Sequence, residues 1–171
     1  SASDDSTFIP SQTCSVFDKD GKLISERRGD KNAQYVKYED IPKNFVAAII
    51  SIEDKKFYQH NGVDLKGLVR AVKATVMSKL KKSQGGTQGG STITMQLARN
   101  IFLSQEKTWQ RKVEEMYIAT ELENKYSKDQ ILEFYLNNIY FGNGYYGIQS
   151  AARGYFDRDV ESLSLSQIAF L

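Results

Sequence analysis

The chain has little of what many active-site chemistries require. Its 171 residues include one cysteine, Cys14, and one histidine, His60. A lone cysteine rules out an internal disulfide framework and a cysteine-rich metal site. A lone histidine rules out a multi-histidine zinc site and any mechanism built on two imidazoles. No apolar run reaches the roughly eighteen residues that a membrane-crossing helix needs. No signal-peptide pattern opens the chain. It begins instead with the polar stretch Ser1-Ala2-Ser3-Asp4-Asp5-Ser6, and residues 1–12 are expected to be disordered or foreign to the natural protein. A net charge of +2 says little about partners. What remains, 40% hydrophobic and 26% charged residues, suits one globular domain with a real core.

Local patterns then divide the chain. Cys14-Ser15-Val16-Phe17 and Lys22-Leu23-Ile24-Ser25 flank Asp18-Lys19-Asp20-Gly21, and Asp-Gly between apolar alternations predicts a β-hairpin within Thr13 to Arg28. From Tyr38 onward the pattern is helix and loop. Asp40 is the expected cap of a helix with Pro42 in its first turn, Phe45, Val46, Ile49 and Ile50 on one face, and Glu53 at its end. Asp64 caps a helix over Leu65 to Lys81. Its Leu/Val stripe alternates with lysines and Arg70, and no acidic residue occurs between Asp64 and the end of the Gly-rich stretch 83–90. Ser91 or Thr92 caps the next helix, and Thr108 starts a longer one running to Tyr126. Ser127-Lys128-Asp129-Gln130 and Ser164-Leu165-Ser166-Gln167 both read as capping boxes. A short helix is expected near Ile148 to Phe156. The apolar helix after Ser164 is still running at Leu171, so the chain is expected to be a piece of something longer.

Three groups of residues carry chemistry. Glu53 stands beside Asp54, Phe57 and Tyr58. A carboxylate next to apolar rings loses solvation and gains proton affinity, as a general base requires. The plain alternative is an acid at a helix end. Arg111, Lys112 and Glu115 lie three or four residues apart on one helix. They are either a surface ion pair or a cluster suited to a pyrophosphate, which Arg99, Ser91, Thr92 and helix-start amides would extend. The 65–81 helix is either a packing helix with a solvated lysine face or a surface for an anionic membrane. His60 is read first as a scaffold residue bonding the loop, and the loop of residues 138–146 retains a sugar-facing role.

Taken in order, these blocks resemble the peptidoglycan glycosyltransferase domain of class A penicillin-binding proteins and monofunctional cell-wall glycosyltransferases. Glu53-Asp54-x-x-Phe57-x-x-His60-x-Gly62-x-Asp64 resembles the family's first motif, and Gly90-Ser91-Thr92-Ile93-Thr94-x-Gln96-Leu97 its second. Arg111-Lys112-x-x-Glu115 resembles the third, and Tyr135-Leu136-Asn137-x-Ile139-Tyr140-Phe141-Gly142 the fourth. Met95 departs from a more usual glutamine. The resemblance implies a mainly α, lysozyme-like, two-lobed domain with a short N-terminal β-hairpin, truncated at its C-terminus. It implies a linker over residues 13–37 and the glycosyltransferase domain over 38–171.

The implied activity is polymerisation of lipid II into β-1,4-linked glycan, with inversion and undecaprenyl pyrophosphate as leaving group. Glu53 and Glu115 would be catalytic. Asp54, Phe57, His60, Ser91, Thr92, Gln96, Arg99, Asn100, Arg111 and Lys112 would bind substrate. No tightly bound cofactor is implied beyond a divalent cation such as Mg2+ or Mn2+ at the pyrophosphate. Expected partners are lipid II, the growing strand, a membrane surface at residues 65–90 and a transpeptidase domain in the parent chain, but no nucleic acid. The expected location is the extracytoplasmic face of the bacterial plasma membrane, through an N-terminal anchor outside this sequence. Two other functions stay open: a lysozyme-like hydrolase or lytic transglycosylase, and a non-catalytic lipid II-binding module. Cleavage needs an acid at the glycosidic oxygen rather than cations around a pyrophosphate, so the basic residues favour synthesis.

Overall fold

A computed structural model describes residues 13–17, 23–28, 35–81, 90–103 and 108–171. The architecture is mainly helical, as expected. Strands β1 (Thr13–Phe17) and β2 (Leu23–Arg28) pair antiparallel, with Thr13 opposite Arg28 and a register shift between Val16 and Phe17. The Asp-Gly turn expected between them lies outside the described residues. Among the described residues seven α-helices follow: α1 (Lys43–Glu53), α2 (Leu65–Lys81), α3 (Ile93–Phe102), α4 (Trp109–Lys125), α5 (Lys128–Asn138), α6 (Ile148–Phe156) and α7 (Leu165–Phe170). Among the described residues no helix is long and apolar enough to cross a membrane.

The helix starts follow from capping chemistry. The Thr92 and Thr108 side chains accept the N–H of Met95 and Arg111, each three residues on. At Ser127, Gln130 Oε1 takes the Ser127 N–H while Ser127 Oγ takes the Gln130 N–H. Ser164 and Gln167 repeat that reciprocal pair ahead of α7. Each bond satisfies a backbone donor that the helix itself leaves open. One expected start is displaced. Asp40 lies inside a 3-10 turn, Tyr38–Asp40, and α1 begins only at Lys43. Pro42 supplies the carbonyl for the Phe45 and Val46 amides instead.

The chain divides into two compact units, residues 1–48 with 132–171, and residues 49–131. In the first, Phe45, Leu132, Leu136, Ile148, Ala151 and Val160 are buried. The segment ahead of α1 is fastened to α5 by side chains. Asn137 accepts the Val36 N–H and donates to the Val36 carbonyl, both at 2.8 Å. Glu133 accepts the Tyr38 N–H at 2.7 Å and the Tyr35 hydroxyl at 2.5 Å. Asn137, part of the fourth motif, is therefore a buried structural residue. Gly147 lies at φ +84°, and a Cβ there would come within 2.6 Å of the Asn137 carbonyl oxygen, so a side chain is barred by space and by backbone conformation alike.

In the second unit, Phe57, Ile93, Met95, Leu97, Ala98, Ala119 and Leu122 are buried, and α3 packs on α4. The side chain at Met95, where the family pattern has glutamine, is part of that interior. Helix α2 runs over the expected range. Its Leu68 and Ala71 side meets Gly90, where a Cβ would stand 3.0 Å from Leu68 Cα. The other apolar residues, Leu65, Val69, Val72 and Val76, recur at helical spacing and are exposed, from 39% at Val72 to 66% at Leu65. Residues 82–89, which hold most of the Gly-rich stretch, lie outside the described residues.

Asp64 caps α2 through its Oδ1, which accepts the Gly67 N–H at 3.0 Å. That bond holds the carboxyl below its ordinary value of 3.8, against the opposing effect of burial and with help from nearby positive charge such as Lys56 and Arg70. A carboxylate held low contributes stability that is complete above its unfolded value and is lost as pH falls through its folded one. Asp64→Asn keeps a cap of similar strength without the charge. The thermal midpoint of the wild-type chain should therefore fall faster than that of Asp64→Asn between about pH 5 and pH 2. Parallel melting profiles across that range would show that the charge adds nothing to the cap.

Candidate active site

The residues expected to be catalytic or to bind substrate, from Glu53 to Glu115, lie in the second unit. Glu53 is the last residue of α1 and is exposed. Its Oε2 accepts a hydrogen bond from Gln96 Nε2 at 3.1 Å. The desolvation expected for Glu53 falls on its neighbour: Asp54 is 8% exposed, while Phe57 is buried and Tyr58 is open to solvent. The reason is the helix end. The chain leaves α1 after Glu53, and Asp54 turns inward.

There Asp54 Oδ2 takes two donors, His60 Nε2 at 2.8 Å and the Ile93 N–H at 3.1 Å. His60 Nδ1 accepts the Gly62 N–H at 3.1 Å. A ring nitrogen that accepts carries no proton, so the neutral His60 ring holds its proton on Nε2 and donates it to Asp54. The Gly62 carbonyl in turn accepts the Thr92 hydroxyl at 2.5 Å. Gly62 has φ +93°, and a Cβ would sit 2.7 Å from the backbone carbon and oxygen of Ala119 on α4. Only glycine lets the loop lie this close to α4. Asp54, Phe57, His60 and Thr92 were expected at the substrate. The Asp54 and Thr92 side chains join the loop of residues 54–62 to the start of α3, Phe57 is buried, and the His60 bond to Asp54 agrees with its scaffold reading.

The cations gather around Glu115, which is 3% exposed on α4. Lys112 Nζ lies 3.1 Å from Glu115 Oε2 and also donates to Ser91 Oγ. Arg99 reaches over from α3, with its terminal nitrogen 3.8 Å from Glu115 Oε1. Its Nε is buried with no hydrogen-bond partner among the described residues. Arg111 pairs with Glu114 at 3.1 Å. Both pairs, 111 with 114 and 112 with 115, are three residues apart, and helical geometry sets them on neighbouring stripes of α4.

Helix α3 joins the two groups. Gln96 and Arg99 share a face at i, i+3 spacing. Gln96 touches Glu53 and Arg99 touches Glu115, so the residues of α3 that hold the acid and join the cation cluster are about one turn apart, about 4.5 Å of axial rise along the helix. Asn100 is on the exposed side of the same helix. Among the described residues, no three His, Cys, Asp or Glu side chains are grouped to hold a metal ion. Both oxygens of Glu115 face positive groups. This donor set does not fit a divalent cation held by the protein itself.

Four contributors were not anticipated. Thr94 Oγ1 donates to Glu123 Oε1 at 2.7 Å. Lys128 donates to that same oxygen and to the His60 carbonyl, each at 2.7 Å. Ala119 supplies the backbone against which Gly62 closes. One signal was available, a lysine at the first position of a helix, where the helix dipole disfavours a cation. In the first unit, the exposed Tyr140 and Tyr146 rings stand 4.8 Å apart on an isolated β-bridge. They are the open aromatics of the loop to which a sugar-facing role was given.

Comparison with known proteins places this arrangement. The transglycosylase family model matches residues 20–171. Penicillin-binding protein 1F of Bacillus subtilis is 42% identical over 98% of the chain. Penicillin-binding protein 1A of Pseudomonas aeruginosa is 44% identical over 91% of it, and that of Vibrio cholerae 46% over the same share. The chain spans only 23% of the first relative's length and 18% of each of the other two. With a family match across nearly the whole sequence and identities of this size, the chain belongs to the transglycosylase family and is similar to penicillin-binding proteins.

Proposed function

We propose that this chain forms the centre that polymerises lipid II into β-1,4-linked glycan. The observation that carries the reading is the buried Glu115 carboxylate, which gathers Lys112, Arg99 and Ser91 one helical turn from the point where Gln96 holds Glu53. Glu53 takes the proton from the 4-hydroxyl of the acceptor N-acetylglucosamine. The freed oxygen pair attacks C1 of the donor N-acetylmuramic acid as the bond from C1 to the pyrophosphate oxygen breaks, inverting the anomeric centre. Undecaprenyl pyrophosphate departs with that electron pair.

Lys112 and Arg99 neutralise the leaving group. Glu115 sets the two cations in place, and Arg111 adds positive charge alongside. No step is assigned to a divalent cation, which would have to take most of its ligands from the pyrophosphate. Exposure of Glu53 supports its use as a base, since the acceptor hydroxyl must reach it.

The exposed Leu65, Val69, Val72 and Val76 stripe supports a membrane contact. Lys66, Arg70 and Lys73 run one residue further along the helix, beside the stripe, as an interfacial helix arranges apolar and basic residues. A substrate with a polyprenyl tail is delivered at such a surface. The reaction then belongs at the extracytoplasmic face of the bacterial plasma membrane, in a parent protein with a preceding anchor and a transpeptidase domain.

The direct test is glycan formation from lipid II, by the chain and by a longer form extended as its relatives are. Glu53→Gln keeps the shape and removes the base, and should lower the rate roughly a hundredfold to ten-thousandfold with the melting temperature unchanged. Polymerisation at the wild-type rate by this variant would remove Glu53 from the mechanism.

Lys112→Ala and Arg111→Ala should separate the two ion pairs. Loss of the Lys112 donor should reduce donor kcat/KM roughly a hundredfold or more. It should also lower stability, because Glu115 stays buried with one partner fewer. Arg111→Ala should leave stability within about 1 kcal/mol and weaken donor turnover less. Normal donor kinetics in Lys112→Ala would make its pair with Glu115 purely structural.

Val69→Ser with Val76→Ser should weaken co-sedimentation with vesicles rich in anionic lipid, while leaving the folded state intact because both side chains are already exposed. Unchanged vesicle binding would end the membrane role of α2.

A further inference from the structure

Lys128 opens α5, and its position there needs an explanation. The N-terminal end of a helix carries partial positive charge and disfavours a cation. Asp129, next in the same turn, has the sign the dipole prefers. Lys128 is nevertheless held in three ways. Its Nζ donates to Glu123 Oε1 and to the His60 carbonyl, each at 2.7 Å, and stands 4.3 Å from the centre of the Phe57 ring. Two of these contacts are on the loop that follows Glu53. The third is on α4, through a Glu123 side chain only 5% exposed. Glu123 Oε1 also takes the Thr94 hydroxyl of α3.

We propose that Lys128 is a positioning residue for glycosyl transfer, clamping the Asp54–His60 loop onto α3 and α4 and thereby fixing Glu53 where Gln96 meets it. The inference rests on the reading of Glu53 as the base. The clamp acts through a chain of named bonds. Lys128 holds the His60 carbonyl and the Phe57 face. The His60 ring holds Asp54, which directly follows Glu53 and accepts the Ile93 N–H. Among the described residues, Gln96 holds the Glu53 carboxylate, and the bonds of the adjoining Asp54 set the backbone that carries it. Cation and ring attract when the ammonium lies over the ring face, and the carbonyl and carboxylate bonds set its direction.

The test compares Lys128→Met, which keeps the stem and removes the charge, with Lys128→Arg, which keeps a cation and donors. Steady-state kinetics on lipid II and amide hydrogen exchange are measured on each. In Lys128→Met, kcat should fall roughly tenfold to a hundredfold with KM little changed, as expected for a displaced catalytic group. The Gly62 and Ile93 amides should exchange faster than those in the middle of α4. Lys128→Arg should recover most of both effects. Should Lys128→Met fail to fold, Lys128→Met with Glu123→Gln leaves no unpaired buried charge and carries the same comparison.

Full kcat in the Met variant, no recovery in the Arg variant, or exchange raised evenly across the unit would each overturn the proposal. Glu53→Gln measured alongside separates the two readings. If it is inactive while Lys128→Met is fully active, the clamp alone is wrong. If it is fully active, the base assignment fails and takes the positioning role with it.

Discussion

Asp54 is the constraint on which the second unit turns. Its carboxylate is withdrawn from water, and such a group is tolerable only with donors to replace the lost hydration. It has two, one from an imidazole in its own loop and one from the first amide of α3. A negative group at a helix N-terminus is also favoured by the helix dipole. A single oxygen thus joins the loop to the helix. Thr92 repeats the join from the other side by capping α3 with one lone pair and donating its proton to Gly62. The catalytic assignment of Glu53 depends on this, because an exposed carboxylate at a helix end has little else to define its place.

The charges at the other end of α3 follow a different logic. Lysine and arginine side chains are long and lose rotamer freedom when fixed. Here a buried acid does the fixing. Glu115 lies beneath Lys112 and Arg99, and the three together retain one positive charge. An anion arriving there meets cations already gathered and partly dehydrated, so little reorganisation is left for the moment when charge develops on the leaving group. The same acid makes the cluster expensive to dismantle, because removing a cation leaves a carboxylate in a poor solvent.

Much of this was legible from residue types and spacing. The Thr108, Ser127 and Ser164 starts, the span of α2, the span of α6 and the strand pairing all come from chemistry within a few residues, where a hydroxyl or an amide reaches its own helix. The motif blocks pointed to the family. Other features were not legible because they are tertiary. Nothing in Glu53-Asp54 says which of two adjacent acids turns inward. That choice depends on an amide thirty-nine residues away. The clamp at Lys128 was hidden inside a capping box, where attention falls on Ser127 and Gln130. The α1 start slipped because Asp40 has the right side chain for a cap but sits in a tighter turn.

The hydrogen bonds that assemble the site also determine when it can exist. Glu53 and Gln96 are forty-three residues apart, Asp54 and Ile93 thirty-nine, and Lys128 and His60 sixty-eight. Each closes a long loop, and the entropy of closing it is lost before any of these bonds can form. Helices α2 and α4 are local and can begin early, but the contacts among the loop, α3 and the start of α5 come only with the fold of the whole unit. Contacts of such separation slow folding and make assembly of the site a late, cooperative event. A nascent chain that has emerged only as far as α4 holds Glu53, Arg99, Lys112 and Glu115 but not the residue that closes the last of these loops.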